Sequence, residues 1–387
     1  MVKILDTTLR EGEQTPGVFL DSHIKKAVAE MLDQLGVDII EVGHPAVSND
    51  IKETVCQISS LRTKALIGAH ARTVKKDVDL ALECGVKFLG IFFCVADRRL
   101  AQMEQSVNQA IDKISKTIAY AQEINPDLKI RYTPEDTVRS EWKNVIHVSS
   151  EAVRAGADII SIADTTGYMI PGTDRSLYTY TQRLRDELAK KDLFPQIAIH
   201  CHNDRGLALS NAIDGYRAGA DIIDASVMGL GERAGIVDLA SLLSVLHTDF
   251  KEGSNWQLDL LPSMYQLVSQ YSGIPVPDNF PITGKNAFTH CAGVHTQAAL
   301  RNPVHYQSLT PERFGRKTDI ALDHMSGQST IAYALAKIGI INPSEKLIRS
   351  VLFKVKEVGK LGRTVDLDEL KFIVRFLVPN EHSGATL

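Results

Sequence analysis

The chain predicts an α/β fold, a (β/α)8 TIM barrel followed by a smaller C-terminal helical appendage. Three observations carry this. A unit recurs along the first part of the sequence: a helix ending in glycine, a short β-branched apolar run, then polar residues. Eight such runs fall within about 240 residues, the length and count of a closed barrel. Helical stretches separate most of them, as parallel strands require.

Val2–Leu5 is the first run. The helical pattern Ile24–Leu35 ends at Gly36, which opens Gly36-Val-Asp-Ile-Ile-Glu41-Val-Gly. Ala65–Ala69 is the third run, and the helix Val74–Glu83 leads to the fourth, Gly85-Val-Lys-Phe-Leu-Gly-Ile-Phe-Phe. Leu128–Tyr132, Gly156-Ala-Asp-Ile-Ile-Ser-Ile-Ala-Asp164, Gln196–His200 and Gly219-Ala-Asp-Ile-Ile-Asp224-Ala-Ser complete the set. Glycine tolerates the left-handed conformation that stops a helix. The runs are apolar on both faces, as buried parallel strands are. An open doubly wound sheet shares the alternation, but the count of eight favours the barrel.

Past residue 250 the rhythm changes. Leu260–Tyr271 reads as a helix, with Pro262 tolerated in its first turn. Ile274–Thr283 holds three prolines and reads as loop. Helices are expected at Thr296–Leu300, Thr330–Ile338, Pro343–Lys360 and, after Asp366, at Leu367–Phe376. The expected division is a catalytic barrel over 1–270 and helical subdomains over 271–387.

Composition excludes several classes. Hydrophobic residues make up 44% and charged residues 23%, ordinary for a soluble domain, and a net charge of −4 gives no reason for nucleic acid or an acidic membrane. No apolar run approaches the roughly 18 residues that span a bilayer, and no signal core opens the chain. Cys56, Cys84, Cys94, Cys201 and Cys291 are scattered without a CxxC pair. A disulfide framework is not expected, and a reducing, cytoplasmic setting fits.

In a barrel the active site forms at the C-terminal strand ends. The first strand leads into Asp6-Thr-Thr-Leu-Arg10-Glu11-Gly-Glu-Gln14. The second delivers Glu41, and the third His70 and Arg72. The fifth delivers Arg131, Thr133, Glu135 and Asp136, and the sixth Asp164 and Thr165. The seventh ends in His200-Cys-His202-Asn203-Asp204, and the eighth leads to Glu232-Arg233. Residues i and i+2 of a strand share a side, so His200 and His202 face one point while Cys201 turns away. Two imidazoles and a carboxylate of the first segment form an open divalent-metal site. Oxygen ligands from a substrate suit Mg or Mn, and imidazoles suit Zn; the metal stays open. Each residue has a plainer reading. An isolated HxH is usually two ordinary histidines, His70 a rim histidine and Arg131 a salt-bridge partner. Glu135 and Asp136 are alternatively helix caps, and Gly229-Leu-Gly-Glu-Arg-Ala-Gly235 a tight turn.

Taken in order, the first segment, His200-Cys-His-Asn-Asp, the glycine-rich loop and His290-Cys-Ala-Gly-Val-His295 resemble one family. It comprises the metal-dependent TIM-barrel acyltransferases and lyases: isopropylmalate, homocitrate and citramalate synthases and hydroxymethylglutaryl-CoA lyase. The resemblance implies Glu11, His200 and His202 as metal ligands and Arg10 as the residue that neutralises the developing oxyanion. It implies Gln14 and Thr165 at the 2-oxo acid's carboxylate. Glu135 and His295 would act at acetyl-CoA, with His295 as the base. His295 would come from the other subunit of a domain-swapped homodimer.

The substrate is implied by Arg131-Tyr-Thr133-Pro-Glu135-Asp136, which is similar to homocitrate synthases rather than to the Glu-Phe-Ser of isopropylmalate synthases. There the arginine and hydroxyl bind the distal carboxylate of 2-oxoglutarate, and His70 falls at a substrate-contacting position. Ile236 also matches them. Ala234, the following Val-Asp-Leu and His324-Met-Ser-Gly depart from their usual pattern. An apolar tail would leave a guanidinium unpaired. The alternatives are a short isopropylmalate synthase using 2-oxoisovalerate and a Re-type citrate or citramalate synthase. A carbon–carbon lyase is a further alternative, against which the loop after the eighth strand carries no cysteine.

Overall fold

The computed structural model describes residues 1–293, 295, 298, 302 and 305–377. The eight apolar runs become strands β1 Lys3–Asp6, β2 Ile39–Gly43, β3 Leu66–Arg72, β4 Phe88–Cys94, β5 Lys129–Glu135, β6 Ile159–Asp164, β7 Gln196–Cys201 and β8 Ile222–Ala225. They close in sequence order into one parallel barrel, with β1 pairing both β2 and β8.

Helices cover the outside: α1 Ser22–Leu35, α2 Asn49–Ser59, α3 Lys75–Glu83, α4 Asp97–Gln102, α5 Val107–Ile124, α6 Trp142–Arg154, α7 Leu177–Ala189, α8 Ala208–Arg217, α9 Leu239–Phe250 and α10 Leu261–Ser272. Local chemistry fixes their ends. Asp21 accepts from the Ile24 N–H at 2.9 Å to start α1. Gly36, at φ 98°, stops it. Ser106 and Gln109 form a reciprocal capping box on α5.

The barrel interior is layered. Leu5, Ile39, Phe88, Ile159, Ala198 and Ile222 pack as an apolar floor. Inward positions recur every second residue. One step along, the same strands present Thr7, Glu41, Gly90, Ser161, His200 and Asp224. The change from hydrocarbon to polar chemistry takes place within a single strand period.

The chain divides into two compact units, Met1–Val276 and Pro277–Leu387. In the second, α11 Gln328–Lys337, α12 Glu345–Gly359 and α13 Leu367–Leu377 pack around Leu322, Ile331, Leu335, Val351, Val355 and Leu370. Thr289–His290 (β9) and Asp319–Ile320 (β10) add a short parallel pair. Two-residue strands carry no alternation, so the sequence reading shows only loop there. All but Ala298 of the expected helix Thr296–Leu300 lies outside the described residues.

One expectation is corrected. Cys56 of α2 and Cys84, the residue capping α3, form a disulfide. Their separation of 28 residues carries no local signal. They meet because α2 and α3 pack side by side. Among the described residues no helix is long and apolar enough to cross a membrane.

Candidate active site

The first strand ends in a locked turn. Asp6 accepts from the Thr8 N–H at 2.9 Å and the Thr8 hydroxyl at 3.1 Å. Burial pushes its carboxyl up to about 7, against those hydrogen bonds. Thr8 Oγ1 in turn accepts from the Val227 N–H at 2.8 Å, tying β1 to the loop after β8. This turn carries Arg10, Glu11 and Gln14 over the barrel mouth.

Glu41 is the hub beneath them. Its Oε2 accepts from Thr7 Oγ1 at 2.8 Å and Arg10 Nε at 2.6 Å. Its Oε1 meets His70 Nδ1 at 2.9 Å and accepts from Arg131 Nη2 at 3.1 Å. Arg131 Nη1 donates to both oxygens of Asp224, at 2.8 and 3.0 Å, and Asp224 Oδ2 meets His200 Nδ1 at 2.9 Å. One buried chain of charge therefore runs Arg10–Glu41–Arg131–Asp224–His200. Burial pushes the Glu41 carboxyl up, but Arg10, His70 and Arg131 outweigh it and hold the group well below the carboxylate range. Burial, with the two arginines, lowers His70 to about 4 despite Glu41. Gly90 makes the arrangement possible, because a Cβ there would lie 2.8 Å from His70 Nδ1 and 3.0 Å from Glu41 Oε1.

His200 and His202 meet as the i, i+2 spacing predicts, with their Nε2 atoms 3.4 Å apart. Asp224 orients His200 from behind, the usual support for a metal-binding imidazole. Burial and His200 lower His202 to about 4, against Glu11, so it is neutral as a ligand must be. Its Nδ1 is buried without a partner among the described residues. Glu11 takes a hydrogen bond from Arg10 and one from the Glu232 N–H at 3.2 Å, and the Gln14 amide, turned so that its nitrogen faces the carboxylate, donates to both oxygens at 3.0 and 3.1 Å. Burial raises its carboxyl, but Arg10, His200 and His202 together hold it lower. Among the described residues no three His, Cys, Asp or Glu side chains stand in a metal-holding arrangement, and the Glu11 carboxylate is engaged by Arg10. The converging imidazoles, supported by Asp224 and close to an ionised carboxylate, nevertheless fit a divalent ion in donor chemistry.

The glycine-rich loop closes over this centre. The Asn203 N–H donates to the Gly235 carbonyl at 2.9 Å, and His202 bridges to Ile236. Gly235 sits at φ 78°, and a Cβ there would lie 1.9 Å from the Gly229 carbonyl oxygen. The loop is thus both a tight turn and a close backbone approach to Glu11 and His202.

Arg10, Gln14, His70, Arg131, Thr133, Glu135, Thr165, His200 and His202 line one cavity of about 790 Å³. Glu11 stands behind its wall. Thr165 Oγ1 accepts from the Asp136 N–H at 2.9 Å, which joins the ends of β5 and β6. Burial raises the Glu135 carboxyl, and Asp136 and Glu232 add to this against Arg99. Thr133 Oγ1 and Arg131 Nε are buried without hydrogen-bond partners among the described residues. His295 belongs to the second unit, where its ring lies 4.4 Å from that of Tyr306.

Other strand-end residues have structural work. Arg72 pairs with Asp77, Asp136 with Arg139 and Arg98, and Arg233 with Asp204. Asp164 accepts from the Tyr168 and Met169 N–H groups. The sequence reading passed over three residues of the site. Asp224 and Ser161 are polar interruptions of apolar runs, and that interruption was the available signal. His44, bound to Asp77 at 2.9 Å, lines the cavity with no pattern to mark it.

The HMGL-like family model matches residues 1–268. A second, "Homocitrate synthase post-HMGL domain-like", matches residues 282–363. A homocitrate synthase of Pyrococcus horikoshii is 44% identical over 356 residues, 91% of this chain and 94% of that protein. One of Saccharolobus islandicus is 40% identical over 376 residues, 95% of this chain and 79% of that protein. Among solved structures, the HMG-CoA lyase of Bacillus subtilis aligns with a TM-score of 0.60 at 22% identity, covering 71% of this chain and 95% of that one. At that identity the likeness is one of fold.

Proposed function

Because this chain belongs to the HMGL-like family, and within it to the homocitrate synthases, we propose that it condenses acetyl-CoA with 2-oxoglutarate. Hydrolysis of the resulting thioester then releases CoA and homocitrate. The observation that carries this is a single cavity lined by Arg10, which Glu41 anchors, and by His200 and His202, whose Nε2 atoms stand 3.4 Å apart. A fixed guanidinium in that cavity supports a role in stabilising negative charge that develops on a ketone oxygen.

Glu11, His200 and His202 would hold the divalent metal, Mg, Mn or Zn. When bound, the ion supplies Lewis acidity to the 2-oxo carbonyl. Gln14 and Thr165 hold the substrate's α-carboxylate. Arg10, anchored by Glu41, stabilises charge on the carbonyl oxygen as the new carbon–carbon bond forms. Arg131, Thr133 and His70 receive the distal carboxylate. His295 takes a proton from the acetyl methyl, and Glu135, with its raised affinity for a proton, works with it at the thioester. In the homodimer proposed here, each subunit's His295 serves the other's barrel.

The test is release of free CoA from acetyl-CoA with 2-oxoglutarate, oxaloacetate, 2-oxoisovalerate or pyruvate, with Mg, Mn or Zn added. Preference for 2-oxoglutarate is expected. Preference for 2-oxoisovalerate would assign the cavity to an apolar tail and overturn the reading.

A further inference from the structure

We propose that Ser161 binds substrate, its hydroxyl donating to the distal carboxylate of the 2-oxo acid and completing an anion subsite with Thr133 and Arg131. The proposal rests on the dicarboxylic reading above.

Ser161 lies in β6 one strand period beyond the floor residue Ile159, so it faces the barrel interior. It lines the cavity, is 0% exposed, and its Oγ has no hydrogen-bond partner among the described residues. A buried hydroxyl without a partner is costly, and each such case calls for a cause. Among the described residues Ser59, Ser149, Thr181 and Thr283 also carry unpartnered buried hydroxyls, but none of them lines the cavity.

The neighbours of Ser161 supply the cause. The β5–β6 register pairs Arg131 with Ile159 and Tyr132 with Ile160. Continued by one residue, it sets Thr133 beside Ser161 on the same inner wall. Thr133 Oγ1 and Arg131 Nε are also buried and unpartnered. On the other flank Ser161 pairs with Ala198, whose side chain offers no polar atom. Three unsatisfied donors on two adjacent strands thus belong to residues of one wall.

Charge argues the same way. Both Arg131 Nη groups are already engaged, by Asp224 and by the Glu41 that Arg10 also binds. Recognition of a further carboxylate must therefore draw on the donors left over. Two hydroxyls and one N–H match the several lone pairs of a carboxylate, and an apolar tail would leave all three unmet.

The test uses the metal-loaded full-length enzyme. S161A removes one oxygen and little volume. Its KM for 2-oxoglutarate should rise about tenfold or more, as expected for a lost hydrogen bond to a charged group. Its kcat should stay within about threefold, because the interaction is equal in ground and transition states. Its kcat/KM preference for 2-oxoglutarate over 2-oxoisovalerate should fall by the same factor as KM rises. If S161A does not fold, S161G lacks the same hydroxyl and carries the same expectations. An unchanged KM and preference in a folded variant would overturn the role of Ser161 while leaving the proposed function standing. Failure of the wild type to release CoA with 2-oxoglutarate would bring both down.

Discussion

Replacing Glu41 with glutamine tests whether the buried charge hub holds the site together. The carboxylate is 0% exposed and serves four groups at 2.6 to 3.1 Å: Thr7, Arg10, His70 and Arg131. Glutamine keeps one acceptor oxygen, turns the other into a donor facing donors, and removes the charge between two guanidinium groups. Breaking a buried ion pair from one side costs about 3–5 kcal/mol. Unfolding entropy near 2.1 cal/mol/K per residue over the 276-residue barrel unit gives about 0.6 kcal/mol per degree. Glu41→Gln should therefore lower the melting temperature by about 5–9 °C. Arg10 also loses the acceptor of its Nε, and misplacement of such a group costs on the order of 100-fold in rate. Circular dichroism melts and thiol-reagent detection of released CoA read the two effects. A melting temperature within about a degree of wild type, with kcat/KM within threefold, would refute the hub.

Three further outcomes are expected. Asp224→Asn removes the carboxylate behind His200 and should weaken metal binding about 10- to 100-fold in calorimetric titration of the metal-free protein; unchanged affinity would place the metal elsewhere. The Asp6 carboxyl is raised from 3.8 to about 7 by burial, so the folded state holds its proton more tightly than the unfolded chain. The stability this contributes is fully present below about pH 3.8 and is lost as pH rises through about 7. The loss is about 4 kcal/mol at 1.36 kcal/mol per pH unit. Asp6→Asn should consequently gain stability relative to wild type between pH 5 and pH 8, and a gap constant with pH in paired melts would contradict this. Reduction of Cys56–Cys84, which closes a loop of 28 residues, should remove about 3–4 kcal/mol and lower the melting temperature by about 6 °C. Cys56→Ser should melt at that lower temperature and ignore the reductant.

The strands were legible because four of the apolar runs follow a glycine and polar residues come after them, and the count of eight then implied closure. The site's location followed from the strand ends. Its wiring did not. Arg131 lies 90 residues from Glu41 and 93 from Asp224, and only the closed barrel turns these inward positions toward one another. The sequence offered Arg131 as a substrate contact or a salt-bridge partner, but could not name Glu41 and Asp224 as the carboxylates it meets. Ser161 was hidden for a different reason. A parallel strand is apolar on both faces, so Ile-Ile-Ser-Ile announces no orientation until the floor level of Ile159 is known. The disulfide and the β9–β10 pair depend on tertiary approach and on segments too short to show a period.

The floor beneath the site gives the barrel a second handle on substrate size. The polar ring stands about 7 Å above Leu5, Ile39, Phe88, Ile159, Ala198 and Ile222, two residues of strand rise. Its members are carried on the same backbones as that hydrocarbon plug. A methylene added to or taken from the plug would act like a shim under a lens, shifting the depth of the chamber through the side chains that rest on it, as Arg131 rests over the Phe88 ring. Tuning the length of the accepted oxo acid from below, through residues that never meet it, is a route this architecture opens.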